Sequence, residues 1–99
     1  MRSPIDEYII DRVREKRKAR KISQETIAIE LGFKSNAYIG SIESTASGRD
    51  ECYNCKQLNL IAALLDCSPK EFWPEKPLKE YKPTRKMQKR KKTTKGTNR

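Results

Sequence analysis

Apolar and polar residues follow one another along this chain with a helical period rather than a strand period. Ile5, Ile9 and Val13 fall four apart, with Tyr8 and Ile10 beside them, which lays an apolar stripe along a first helix. Ser3-Pro4-Ile5-Asp6 supplies its start: a capping hydroxyl, a proline at the first helical position and an acid at the third. Ile27 and Leu31 share one face of a second helix over residues 24–31, which Ser23 caps. Ala28 is small where another helix must cross. Gly32 comes just past Leu31, where a chain leaving a helix takes positive φ, and Phe33 follows as an apolar plug. Ser35 is placed to cap a third helix over residues 36–44, whose Ile39 and Ile42 turn back onto the second. Asn54 can cap a fourth helix over residues 55–65. Ser68-Pro69-Lys70-Glu71 is a capping box that predicts a short fifth helix through Trp73, stopped by Pro74 and Pro77. Residues 45–51 are a loop by composition. No internal repeat appears. The pattern predicts an all-α fold.

Two short helices meeting at a glycine form a helix-turn-helix pattern, whose second helix is built to lie in the DNA major groove. The stretch Gln24-Glu25-Thr26-Ile27-Ala28-Ile29-Glu30-Leu31-Gly32-Phe33, continued through Ile42, resembles the phage lambda repressor-like (Cro, or XRE) family. Residues 13–25 resemble that family's first helix and its Ser-Gln-Glu approach to the second. Leu58, Ile61, Ala62 and Leu65 match its fourth helix, and residues 67–72 the start of its fifth. The resemblance implies a five-helix lambda repressor-like DNA-binding domain over residues 1–75. It also implies a small transcriptional regulator of bacterial or phage type, a repressor by expectation. Such proteins usually bind double-stranded DNA as homodimers on palindromic sites, with half-sites about one DNA turn apart. Phe72 and Trp73 are candidate anchors for a dimer, with packing back on the first helix as the alternative.

Departures from the family's pattern are specific. Aligning Ile39 and Ile42 with its core positions leaves Lys34 as an extra residue in the turn; otherwise Tyr38 and Ser41 would fall in the core. Lys21 stands where glycine is common, which predicts a different end to the first helix. Lys16 replaces an apolar residue, Cys55 replaces a leucine, and residues 44–53 are longer than the usual connection.

The candidate contacts follow from placement. Gln24 opens the second helix, where free N–H groups and the helix dipole favour a phosphate. Asn36, Ala37, Gly40 and Ser41 lie opposite Ile39 and Ile42 and so face a groove. An asparagine can pair bidentately with adenine, and an alanine can touch a thymine methyl, while Gly40 and Ser41 are weaker readers. Tyr38 either reaches a phosphate or packs on the domain edge. Lys34 in the turn and Arg49 in the loop are candidate phosphate contacts, and Ser35 beside them completes the set.

Charge sharpens this picture. The net charge is +10, and residues 76–99 carry eleven Lys or Arg against Glu80 alone, so the whole excess lies in the last quarter. Two prolines, the Lys89-Arg90-Lys91-Lys92 run and a polar ending predict a disordered basic C-terminal tail. It reads as an arm along nucleic acid phosphates, or as a solvated tail that aids solubility.

Other chemistry finds little support. Ninety-nine residues make one domain, with no apolar run long enough for a membrane span and no secretory signal at the start; a cytoplasmic protein is expected. Cys52 and Cys55 have the spacing of half a zinc site. Cys67, however, lies across a helix about 18 Å from Cys55, and the chain has no histidine. Cys55 and Cys67 read as small buried apolar residues. Neither metal nor other cofactor is expected, nor a small-molecule effector. No nucleophile has a partner array, so no enzyme is expected. Glu25 and Glu30 read as surface ion-pair partners. Glu43 does too, although an acid after Ile42 is typical of the family, where a structural hydrogen-bonding role stands beside a functional one. Two other classes remain open: an antitoxin-type interaction module that also binds DNA, and tail-led binding of RNA or of nucleic acid without specificity.

Overall fold

The computed structural model describes residues 2–45 and 49–85. Four α-helices and one 3-10 turn follow one another: α1 Pro4–Ala19, α2 Gln24–Glu30, α3 Ala37–Glu43, α4 Cys55–Leu64 and the turn Pro69–Phe72. Ile9, Ile10, Val13, Ile27, Ala28, Ile39, Ile42, Tyr53, Leu58, Ile61, Ala62, Leu65 and Phe72 form one buried core. Among the described residues, no helix is long and apolar enough to cross a membrane.

Helix starts match their local chemistry closely. The Ser3 hydroxyl accepts from the Asp6 N–H while the Asp6 carboxylate accepts from the Ser3 N–H, and Pro4 needs no partner for a hydrogen it lacks. Asn54 and Gln57 form the same reciprocal pair at α4. Ser23 caps α2 by accepting from Thr26. At α3 the cap differs from expectation. Asn36, not Ser35, occupies the N-cap position and makes no side-chain capping bond. Ser35 instead accepts from the Ala37 N–H at 3.3 Å, so one first-turn donor is satisfied from a residue earlier.

Helix ends share one device. After α1, α2 and α4 the chain turns through a left-handed residue, Lys21 (φ 59), Gly32 (φ 88) and Asp66 (φ 57) respectively. The next N–H then reaches back five residues: Ile22 to Arg17 O, Phe33 to Ala28 O and Cys67 to Ala62 O, at 2.8–3.0 Å. Gly32 adopts the positive φ its position implies. Lys21 does so too, which corrects the expectation of a different end to α1: the lysine takes the glycine's conformation. That conformation costs an L-residue about 1–2 kcal/mol. Lys21→Gly is therefore expected to raise stability by about 0.5–1 kcal/mol after glycine's extra unfolded-state entropy is subtracted. Gly32→Ala should lower it by about 1–2 kcal/mol, although an added Cβ there meets nothing within 4 Å. Thermal melts that moved in the same direction for both variants would refute this account of the helix ends.

The expected fifth helix does not form, so the five-helix description is corrected to four α-helices plus a single 3-10 turn among the described residues. The capping box is present, with Ser68 and Glu71 bonded to one another's backbone. Trp73, however, precedes Pro74, whose ring disfavours the α region for the residue before it. Trp73 is extended (ψ 147), and its N–H closes onto Lys70 O, three residues back. Too few residues lie between Pro69 and Trp73 for an α-turn to propagate. Phe72 is fully buried and Trp73 is 41 % exposed. Lys16, where an apolar residue was expected, ties α1 to this turn by an ion pair with Glu71 at 2.8 Å.

The disordered tail expected over residues 76–99 is corrected at residues 81–85 alone. Tyr81, Thr84 and Arg85 dock on α1 through Asp11. The lysine-arginine run at 89–92 and the polar ending lie outside the described residues.

Candidate nucleic-acid interface

α3 is positioned by its inward face. Ile39 and Ile42 have no exposed surface, and Ala28 on α2, also fully buried, lets the two helices approach closely. The register therefore puts Lys34 in the turn and leaves Tyr38 and Ser41 off the core positions. Asn36 and Ala37 are exposed and Gly40 and Ser41 half-buried, so α3 turns outward a face made only of short side chains. Lys34 and Ser35 are exposed at its head.

Several expected contact residues carry structural bonds. The Tyr38 ring packs on Phe33 (centroids 4.8 Å apart), and its hydroxyl donates to Cys52 O at 3.5 Å, which places it on the domain edge. Arg49 folds over the end of α3, with its guanidinium 3.4 Å from the Ser41 hydroxyl and 3.8 Å from Glu51. The Gln24 amide donates to Glu43 Oε1 at 2.9 Å. Glu43 is not a surface group: it is 6 % exposed, and Arg17, 9 % exposed, grips it with two bonds of 2.9 and 2.8 Å. Arg17 also donates to Ile22 O, and Arg14 lies 3.7 Å from Glu43. A bidentate guanidinium on a buried carboxylate fixes direction as well as distance. Through it α1, the first residue of α2 and the last residue of α3 are held as one unit.

Two further groups were not visible in the residue pattern. Arg2, only 8 % exposed, donates to Ser41 O (3.0 Å), Ser44 O (2.9 Å) and Glu51 O (2.6 Å). It thus caps the carbonyl end of α3, where a cation suits the helix dipole, and pins the loop that follows. Asp11 is the second, buried among donors from residues 81–85. One signal could have revealed it. Glu7 and Asp11 are like charges four apart, which repel on an isolated helix and so call for a cation from elsewhere. Arg2 and Arg85 supply it.

The phenols around this frame titrate late. Burial, together with the hydrogen bond to Asp11, pushes the Tyr81 hydroxyl up to about 12, and burial drives Tyr53 higher still. The stability tied to a neutral Tyr81 is complete below pH 10, the unfolded value, and is lost as pH rises through about 12. Absorbance titration should show two tyrosines ionising late, with Tyr81→Phe removing one of them. A Tyr81→Phe titration that loses no late ionisation would contradict the bond from Tyr81 to Asp11.

Cys55 is exposed, against the expectation of burial, while Cys52 and Cys67 are half-buried with thiols pushed up by burial, the inert form. Among the described residues no group of ligating side chains comes together. Comparison of the chain with family models, with curated proteins and with solved structures finds no match.

Proposed function

We propose that this chain binds double-stranded DNA through its helix-turn-helix and acts as a small transcriptional regulator, as the resemblance to lambda repressor-like proteins implies. The observation that carries the reading is the outward face of α3: Asn36, Ala37, Gly40 and Ser41, all short, flanked by Lys34 and Arg49. A helix with side chains is about 10–12 Å across and the major groove about 12 Å wide. A face of short side chains lets such a helix lie deep enough to reach base edges. Asn36, exposed at the head of α3 and spared from capping, is the assigned base reader. Gln24, held in direction by Glu43, and Lys34 grip phosphates. Tyr38 is left out of the contact set, since its ring and hydroxyl serve the domain edge.

Asn36→Ala is expected to cost about 1–3 kcal/mol on the preferred duplex and much less on random duplex. Lys34→Ala should weaken both by similar factors. The checking quantity is the ratio of specific to non-specific affinity at one salt concentration; an unchanged ratio for Asn36→Ala sinks its role as reader.

Exposed Trp73 favours a second, compatible reading, a protein contact. It lines a groove with Tyr8, Arg12, Lys70, Glu71 and Pro74. A homodimer through this face would be weakened by Trp73→Ala in sedimentation equilibrium, with the monomer fold unchanged.

A further inference from the structure

The amide of Gln24 is held in one sense only. Its Nε2 donates to Glu43 Oε1 at 2.9 Å. Glu43 is a buried carboxylate gripped by Arg17 through two bonds, so its oxygens accept and do not donate. The amide therefore cannot turn over: its nitrogen faces Glu43 and its oxygen faces away. That oxygen, Oε1, is the nearest heavy atom to a Cβ built on Gly40, 3.7 Å from it. Among the described residues no donor bonds to it.

Gly40 has no reason within the chain to be glycine. It lies inside α3, its N–H bonded to Asn36 O at 2.9 Å, without the positive φ that Gly32 shows. A glycine there weakens the helix relative to alanine. A Cβ would meet Gln24 Oε1 at ordinary van der Waals distance and nothing closer. Neither backbone nor internal packing excludes a side chain. Its absence leaves an open notch, floored by the α3 backbone at Gly40 and walled by the Gln24 carbonyl oxygen.

The chemistry of the notch selects what fills it. Within a duplex, phosphates and deoxyriboses offer acceptors only, so neither satisfies a carbonyl oxygen. The donors of the major groove are the exocyclic amines, N4 of cytosine and N6 of adenine. Gly40 stands one turn after Asn36 on the same face of α3. The two are about 6 Å apart along the axis, close to two base steps of about 3.4 Å. We propose that Gln24 reads a base: its Oε1 accepts from the amine of a cytosine or adenine seated over Gly40, within about two base pairs of the base that Asn36 reads. This role rests on α3 being the DNA-reading helix. The second Nε2 hydrogen is left for the phosphate grip, so one side chain serves backbone and base together.

The test uses duplexes of the sequence selected from a random library, with N6-methyladenine or N4-methylcytosine placed at one position at a time. Each modification keeps the pairing hydrogen and replaces the amine hydrogen that faces the major groove. In the parent, methylation at a position other than the one Asn36→Ala relaxes should weaken binding about three- to tenfold. Whether the responding base is adenine or cytosine names the amine. Gln24→Met should remove that penalty and leave the others. Gly40→Ala should melt at or above the parent's temperature, since alanine favours the helix. It should nonetheless bind the unmodified site about three- to tenfold more weakly, with unchanged affinity for random duplex. Retention of every methylation penalty in Gln24→Met overturns the assignment. So does parent-like binding of the selected site by Gly40→Ala. If Gln24→Met weakens selected and random duplex by one and the same factor, Gln24 grips phosphate alone and the reading role falls. A sequence that Asn36→Ala relaxes and Gln24→Met does not sinks the Gln24 role while α3 remains the reader. If the parent selects no sequence at all, the DNA-reading role of α3 fails and that of Gln24 fails with it.

Discussion

Glu43→Ala is expected to remove about 3–5 kcal/mol of stability, the cost of leaving a buried guanidinium without its counter-charge. Arg17 is fixed inside the fold by its bond to Ile22 O, so it cannot swing out to water without breaking the end of α1. Gln24 loses its acceptor at the same time. A domain of this size holds about 5–15 kcal/mol in total, so the variant should approach unfolding well below the parent's midpoint. The ion pair itself need not be the stabilising element. Replacing both partners with apolar residues, Arg17→Met with Glu43→Leu, should recover most of the loss, because no charge is then stranded. Urea denaturation distinguishes these outcomes. A Glu43→Ala midpoint within about 1 kcal/mol of the parent would mean that water reaches Arg17 and the frame is looser than its geometry implies.

Phe72→Ala should cost a similar amount, about 3–5 kcal/mol, through lost burial and the cavity left behind. Phe72 is the largest fully buried side chain, and the turn that carries it packs on both α1 and α4. Its neighbour is a built-in control: Trp73→Ala, at 41 % exposure, should cost well under half as much. This contrast also bears on assembly. Phe72 belongs to the monomer's core and is not available to a partner, so any dimer contact at this end of the fold falls to Trp73. Equal losses at the two positions, measured by denaturation at two protein concentrations, would contradict that division.

The helices and their register were readable from residue pattern because each signal was local. Ser3-Pro4-Ile5-Asp6 and Asn54-Cys55-Lys56-Gln57 satisfy their own first turns, and Gly32 meets a steric need at its own backbone. Ile39 and Ile42 are three apart and close on Ala28 whatever the loops do. The fifth helix fails for a local reason too: Pro74 does not merely stop it but holds Trp73 extended, which leaves the Ser68 capping box only a 3-10 turn to open. What stayed hidden was non-local and ionic. Arg2, Asp11, Arg17, Glu43 and Arg85 look like solvated surface charges in a sequence where cations are abundant. Each becomes a buried structural group only when a residue dozens of positions away arrives. The outward placement of Asn36, Ala37, Gly40 and Ser41 was legible from the period of α3. The commitment of Gln24 to Glu43, of Tyr38 to Cys52 O and of Arg49 to Ser41 was not, because all three bonds cross from one element to another.

The most direct test of the DNA-reading role is selection of bound sequences from a random duplex library with the full chain, run in parallel with Asn36→Ala. A helix that reads bases through Asn36 predicts enrichment of a short common sequence over successive rounds, in two inverted copies if the protein binds as a dimer. Asn36→Ala should relax the preference at one position per copy while leaving the rest of the sequence intact. Strong retention of duplex with no sequence enriched, in the parent as in the variant, would mean that the basic chain end holds the nucleic acid and that α3 does not read it.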